Sequence, residues 1–358
     1  MKKQLIASAV AATMASVAMA DISITGDAKY EYDHSETSAG VKSNTGNTEM
    51  HINFAGKTGD TGVVAKFELD TSGDNGAGID LEDMYMTTKV GDINIKAGNW
   101  ATGTGALLGE LEEGGRAQNK IDLRTTVGGV TIYAGNSDKE AAEASNAVST
   151  TSATVSSTSV VTAVSQSTDD EADGDTLLNG NMYAGAIMSV AGNTIEFKKN
   201  SNTRDSYGIK GSLQGVNYRY EAMDDTTSGD ASYIELDTTV SGLKLQYAAI
   251  DTDSNSLVDE SDSGVFAVSF SDAAKVATSA TEQKQFAVST SIDGTTVTVK
   301  SGEITKGVSS SKDLDYTQFQ AKRTLASGAT AIVTYTDRDQ ITTGGSNKNL
   351  EIELNVAF

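Results

Sequence analysis

Ile22, Ile24, Ala28, Tyr30 and Tyr32 alternate with Ser23, Thr25, Asp27, Lys29, Glu31 and Asp33 in the segment ISITGDAKYEYD. A switch at every residue puts the two sets on opposite faces of an extended strand. The same period returns along the chain. EMHINFAG sets Met50, Ile52 and Phe54 on one face, and VVAKFELD sets Ala65, Phe67 and Leu69 against Lys66, Glu68 and Asp70. DINIKAG, KIDLRTTV, VNYRYEAM, LKLQYAAI, TTVTVKSG, DYTQFQAKRTL, ATAIVTYTD and NLEIELNVAF repeat it. Counting every alternating segment gives nineteen candidate strands. The least suitable is GVFAVSF (264–270), because the following SDAAKVATSATEQ supplies neither a short turn nor a clean strand. Leaving it out gives eighteen, and a meander that starts and ends on one side of a sheet needs an even number.

The connections alternate between short and long. KTGDTG, VGD, VGGV, AGN, QGV, SGL, IDG and ASGA are short, and the stretches 34–48, 71–80, 101–118, 139–179, 251–263 and 339–347 are long. That alternation predicts an up-and-down antiparallel sheet with one plain end and one elaborated end. The longest connection, 139–179, is of low complexity: Ala, Ser, Thr and Val, then Asp169, Asp170 and Glu171. It is expected to be a mobile surface loop, with a self-ordered β-rich cap as the alternative.

Alternation leaves open which face is dry. In a soluble sandwich the apolar face packs on a second sheet. In a membrane barrel it faces lipid, and the other face lines a wet interior. Three features favour the barrel. Charge recurs on the polar face of many segments. The segments are about ten residues long, enough to cross a bilayer when tilted. The apolar faces hold Ala28, Ala65, Ala97, Ala249 and Ala331, small residues that lipid accepts and a close-packed core does not.

Composition narrows the function. The 358 residues contain no Cys and no Pro, and His34 and His51 are the only histidines. Disulfides, thiolate metal sites and cysteine nucleophiles are thereby excluded, and an enzyme built on a histidine base has little material. The formal charge of −22 argues against nucleic-acid binding. Met1-Lys2-Lys3, the apolar stretch Leu5 to Val17 and Ala18-Met19-Ala20 form a secretory signal pattern over residues 1–20, with cleavage expected before Asp21. Removing Lys2 and Lys3 takes the charge from −22 to −24. Beyond residue 20 no apolar run is long enough for a transmembrane helix.

NLEIELNVAF keeps its alternation up to Phe358. An ending of this kind resembles the C-terminal signal of bacterial outer-membrane proteins, which the barrel assembly machinery reads, and it places Phe358 in an aromatic girdle. DISITGDAKYEY, FAGKTGDTGVVAKFELDTSG, VGDINIKAGNW and KRTLASGATAIVTYTDRD together make residues 21–358 resemble the trimeric, sixteen-stranded general porins of Gram-negative bacteria. The chain departs from that group in lacking a Pro-containing constriction motif and in its wealth of Ser and Thr. The resemblance implies an all-β transmembrane antiparallel barrel, with sixteen strands favoured and eighteen as the alternative. It also implies a location in the outer membrane, assembly as a homotrimer, and contact with lipopolysaccharide.

The resemblance further implies a third loop folded into the channel. Here that loop is 101–119, with Glu110, Glu112, Glu113 and Arg116 as the constriction candidates. In the family such acids face a basic wall cluster. Parity nominates Lys29, Lys66, Lys96, Arg124, Lys210 and Arg219 for it. Inward parity also falls on Asp27, Glu31, Glu49, Glu68, Glu196, Glu221, Glu235, Glu351 and Glu353, an excess of acid that predicts a cation preference. No cofactor is expected, and acidic loops offer loose divalent-cation binding. Asp251, Asp253, Asn255 and Asp262 imitate an EF-hand, but Ser256 stands where Gly is required and the last ligand is not Glu. The function expected is passive diffusion of small hydrophilic solutes. The alternatives are a secreted β-rich adhesin and a substrate-specific eighteen-stranded channel. The latter is disfavoured by a single Trp100 and by tyrosines of mostly outward parity.

Overall fold

The computed structural model describes residues 21–37, 39–70, 78–100, 107, 117–139, 181–200, 204–226, 229–253, 265–267, 280–306, 314–339 and 346–358. The strands are β1 (Asp21–Thr37), β2 (Lys42–Thr58), β3 (Thr61–Asp70), β4 (Gly78–Val90), β5 (Ile93–Trp100) and β6 (Ala117–Val127). They continue as β7 (Val130–Lys139), β8 (Asn181–Val190), β9 (Asn193–Asn200), β10 (Arg204–Leu213), β11 (Val216–Asp225) and β12 (Gly229–Val240). The last six are β13 (Leu243–Thr252), β14 (Ala280–Ile292), β15 (Thr295–Lys306), β16 (Leu314–Thr324), β17 (Thr330–Arg338) and β18 (Ser346–Ala357). Each pairs antiparallel with its sequence neighbours, and β1 also pairs with β18. The sheet is therefore closed, and no strand offers an unpaired backbone edge.

The strand number corrects the sixteen favoured on the resemblance. Eighteen segments alternate for long enough to hydrogen-bond on both sides, and all eighteen do. In the rejected segment 264–270, the described residues Val265, Phe266 and Ala267 are not strand.

Several short connections are two-residue turns in which both residues have positive φ: Ala191-Gly192, Gln214-Gly215, Ser241-Gly242 and Asp293-Gly294. That backbone matches the twist of the flanking strands, and glycine enters it without a steric penalty. The closure seam is continuous. Asp27 to Ser35 run opposite Ala357 to Asn349, and Phe358 and Gly26 exchange both of their backbone hydrogen bonds at 2.8 and 2.9 Å.

Burial separates the two faces. The apolar parity is the exposed one: Ile24, Ile79, Val127, Ile132, Phe197, Leu213, Phe286 and Ile352 all stand open. The polar parity is the enclosed one: Glu196, Glu221 and Gln283 are fully buried. A single closed sheet with bare Ile, Phe and Val outside and carboxylates inside inverts the usual order of a soluble protein. Most of the enclosed face is polar. The exception is an apolar cluster on β11–β16 made of Met223, Ala231, Tyr233, Ala248, Ile250, Ile304, Leu314 and Tyr316, with Val265, Phe266 and Ala267 packed against it.

One bulge shifts the parity of β4. Lys66 pairs with Asp83 and Phe67 with Leu81, so Glu82 is an extra residue. Ile79 and Leu81 on one side of it, and Met84 and Met86 on the other, all remain exposed. The bulge keeps both apolar pairs outside and turns Glu82 inward to Lys66.

Candidate functional site: the lumen wall

The inner face carries charge in two blocks. The first spans β18 and β1–β4. Lys29 sits between Glu49 at 2.9 Å and Glu31 at 3.3 Å, Lys66 pairs with Glu82, and His51 lies 3.0 Å from Glu49. Glu31 and Glu353 are cross-strand partners, as are Asp33 and Glu351. In this block acids outnumber bases, and Lys29 and His51 each face more than one carboxylate.

The second block spans β5–β11, where cations lie over aromatic rings. Lys96 Nζ is 3.8 Å from the centre of Tyr85 and 4.4 Å from that of Trp100, and Lys120 reaches Trp100 at 5.0 Å. Arg124 lies over Tyr133 and Lys198 over Tyr183. Such cation–ring contacts contribute about 0.5–2 kcal/mol each. Arg124 also donates to Asp122 at 2.5 Å. Tyr133 and Tyr183 face each other across β7 and β8, each ring lying over the other strand's glycine, Gly185 and Gly135 respectively. Their hydroxyls donate to Glu196 at 2.6 Å and Asp122 at 3.0 Å.

Two segments from the connections dock on this wall. Leu107, between β5 and β6, is buried. Its N–H donates to Glu196 Oε2 at 2.7 Å, and its carbonyl accepts from Arg219 Nη2 at 2.5 Å. One backbone unit is thus clamped between an acid on β9 and a base on β11. On the apolar cluster, Ala267 N–H donates to Gln285 Oε1 at 2.7 Å, Gln285 Nε2 donates to the Val265 carbonyl at 2.5 Å, and Gln318 Nε2 donates to the Ala267 carbonyl at 3.3 Å. The Phe266 ring meets Tyr233 edge-on at 6.4 Å.

All six wall bases nominated by parity lie on the inner face. Lys29 and Lys66 belong to the acidic block, and Lys96, Arg124, Lys210 and Arg219 to the aromatic-cation block, with Lys210 near Glu235 and Asp237. They are not one cluster. Glu110, Glu112, Glu113 and Arg116 lie outside the described residues, as do the signal segment 1–20 and nearly all of the loop 139–179. Of the third loop, Leu107 and the residues from 117 onward, which belong to β6, are described, and Leu107 does reach the wall.

Sequence reasoning missed Leu107, Glu82, the glutamine clamp and the aromatic lining. Five tyrosines, 85, 133, 183, 233 and 316, are on the inner face with Trp100. A signal for some of them was present. The inner parity of β14 reads Gln283, Gln285, Ala287, and uncharged amides there are what a docked backbone needs.

No family model and no curated protein matches the chain. Solved structures do. The crystal structure of Pseudomonas aeruginosa OccK2 (OpdF) aligns with a TM-score of 0.62 at 10% identity, covering 94% of this chain and 98% of that one. P. aeruginosa OccK9 (OpdG) gives 0.62 at 11%, with the same coverage. A mutant of Rh. blastica porin gives 0.53 at 12%, covering 94% of this chain and all of that one. At these identities the likeness establishes the fold, and the chain is a closed eighteen-stranded antiparallel barrel whose fold is like theirs.

Proposed function

We propose that the protein is an outer-membrane porin, a water-filled channel through which small hydrophilic solutes and ions diffuse passively. One observation carries this reading: the barrel is polar and charged within and apolar without, from Glu196 and Glu221 inside to Phe197 and Ile79 outside. Such a wall is stable where lipid surrounds it and water fills it. The acid excess on β18 and β1–β4 raises the local concentration of cations, so the channel prefers them. Transport of this kind involves no covalent step and no cofactor. A homotrimer, lipopolysaccharide around the outer rim, and the barrel assembly machinery are the partners that go with the reading.

A second reading, a channel specific for one substrate class, is favoured by the aromatic-cation block. Lysines and arginines backed by rings present a fixed row of positive charge, suited to anionic groups on a solute. Ion selectivity separates the two. A KCl gradient across a bilayer containing the protein gives a cation-leaning reversal potential on the first reading. An anion-leaning potential, with current saturated by one class of carboxylate solute, would favour the second.

A further inference from the structure

β1, β2 and β3 bring a donor set together at one level of the inner wall. His51 on β2 lies opposite Asp27 on β1 and Glu68 on β3, and Glu49 is two residues before His51 on the same face. We infer that His51, Glu49 and Glu68 form a binding site for a first-row divalent transition metal such as Zn2+, with Asp27 orienting the imidazole. The site's place in the lumen rests on the channel reading above; its ability to bind metal does not.

The donor atoms of Glu49, His51 and Glu68 all lie within 4.8 Å of one another. His51 Nε2 and Glu49 Oε1 are 3.0 Å apart, close to the edge of about 3.4 Å that a tetrahedral ion with bonds near 2.1 Å requires. Small rotations of the Glu68 side chain complete the set. The other imidazole nitrogen, Nδ1, faces Asp27 Oδ2 at 3.4 Å. A carboxylate behind a histidine fixes which nitrogen is offered to a metal and makes it more basic. Asp27 lines up with His51 only because the β1–β2 register sets them opposite each other.

The neighbouring charges fit as well. Binding must release Glu49 from Lys29, and Lys29 already has Glu31 at 3.3 Å as a second partner. Glu82, which pairs with Lys66, also lies 4.0 Å from His51 Nε2, so the carboxylates of Asp27, Glu49, Glu68 and Glu82 surround the imidazole. Glu49 and His51 keep 17% and 19% of their side-chain surface exposed, which leaves room for water as a further ligand. The donor chemistry sets the ion class. An imidazole nitrogen suits Zn2+, Ni2+ and Cu2+, whereas Mg2+ and Ca2+ take oxygen ligands. A second carboxylate group, Glu31 with Glu351 and Glu353, has similar spacing but no imidazole, and it serves as the internal control.

The test is equilibrium dialysis of the full chain in detergent micelles against Zn2+, with Mg2+ in excess. The wild type takes up one saturable equivalent. His51→Ala weakens that uptake at least ten-fold, and Asp27→Asn weakens it about ten-fold. The double variant Glu351→Gln, Glu353→Gln binds as the wild type does. Heat-modifiable gel migration identifies the variants that have folded as barrels. No saturable uptake by the wild type, or equal uptake by folded His51→Ala, overturns the site. Single-channel recording separates the two claims. Zn2+ reduces the wild-type current and leaves His51→Ala unchanged. His51-dependent uptake by a protein that conducts no ions keeps the metal site and overturns the channel reading.

Discussion

Glu196→Ala should loosen Leu107 from the wall. In the wild type the buried carboxylate accepts the Leu107 N–H at 2.7 Å and the Tyr133 hydroxyl at 2.6 Å. Hydrogen bonds to a charged group contribute about 1.5–3 kcal/mol each. Only the Leu107 bond ties the loop directly, but the Tyr133 bond holds the carboxylate in place for it. Losing the Leu107 bond shifts the docking equilibrium by about 1.5–3 kcal/mol, roughly ten- to a hundred-fold toward the undocked state, while Arg219 still holds the Leu107 carbonyl. The barrel itself should survive, because its strand pairings do not pass through this side chain. Single-channel recording reads the result: the variant has a larger or noisier open state than the wild type. Glu196→Gln keeps one acceptor and loses the charge, so it falls between the two. A Glu196→Ala channel with wild-type conductance and wild-type noise would refute the claim that Leu107 is held by this carboxylate within the pore.

Gln285→Ala removes the hydrogen bonds to the Ala267 N–H and the Val265 carbonyl, and conductance should rise while the heat-modification temperature stays nearly constant. Gly185→Ala places a methyl group in the Tyr133 ring and against the Phe197 carbonyl; overpacking of this kind costs roughly 1–3 kcal/mol, read as a lower temperature of conversion between the compact and extended gel forms. Phe197→Arg on the exposed belt costs about 2–4 kcal/mol if it lies near the bilayer midplane, and refolding yield into phospholipid vesicles should fall accordingly, whereas a soluble protein would tolerate the change.

Much of the barrel was legible in the sequence because period two is a direct consequence of strand geometry. Ile22, Ile24 and Tyr30 are outside, and Asp27, Lys29 and Glu31 inside, as their alternation requires. GVFAVSF alternates too, yet it lacks a turn that would return it to the sheet, and its first residues turn to the inner wall instead. The count of sixteen came from the resemblance, and the alternating segments themselves supported eighteen. Glu82 escaped notice because a bulge is a matter of register between two strands, which neither strand shows alone. Leu107 escaped because its partners, Glu196 and Arg219, are remote from it in sequence. Tyr133 and Tyr183 escaped for the same reason as Glu82, because each covers a glycine on the other strand and that pairing is visible only across the two.

The most direct test of the account is the current that the purified protein carries in a planar lipid bilayer with unequal KCl on the two sides. The account predicts discrete conductance steps, grouped in threes, with a reversal potential that leans toward cations. A protein that stays soluble without detergent, never inserts and carries no current would contradict it, and the exposed apolar belt would then need a protein partner in place of lipid.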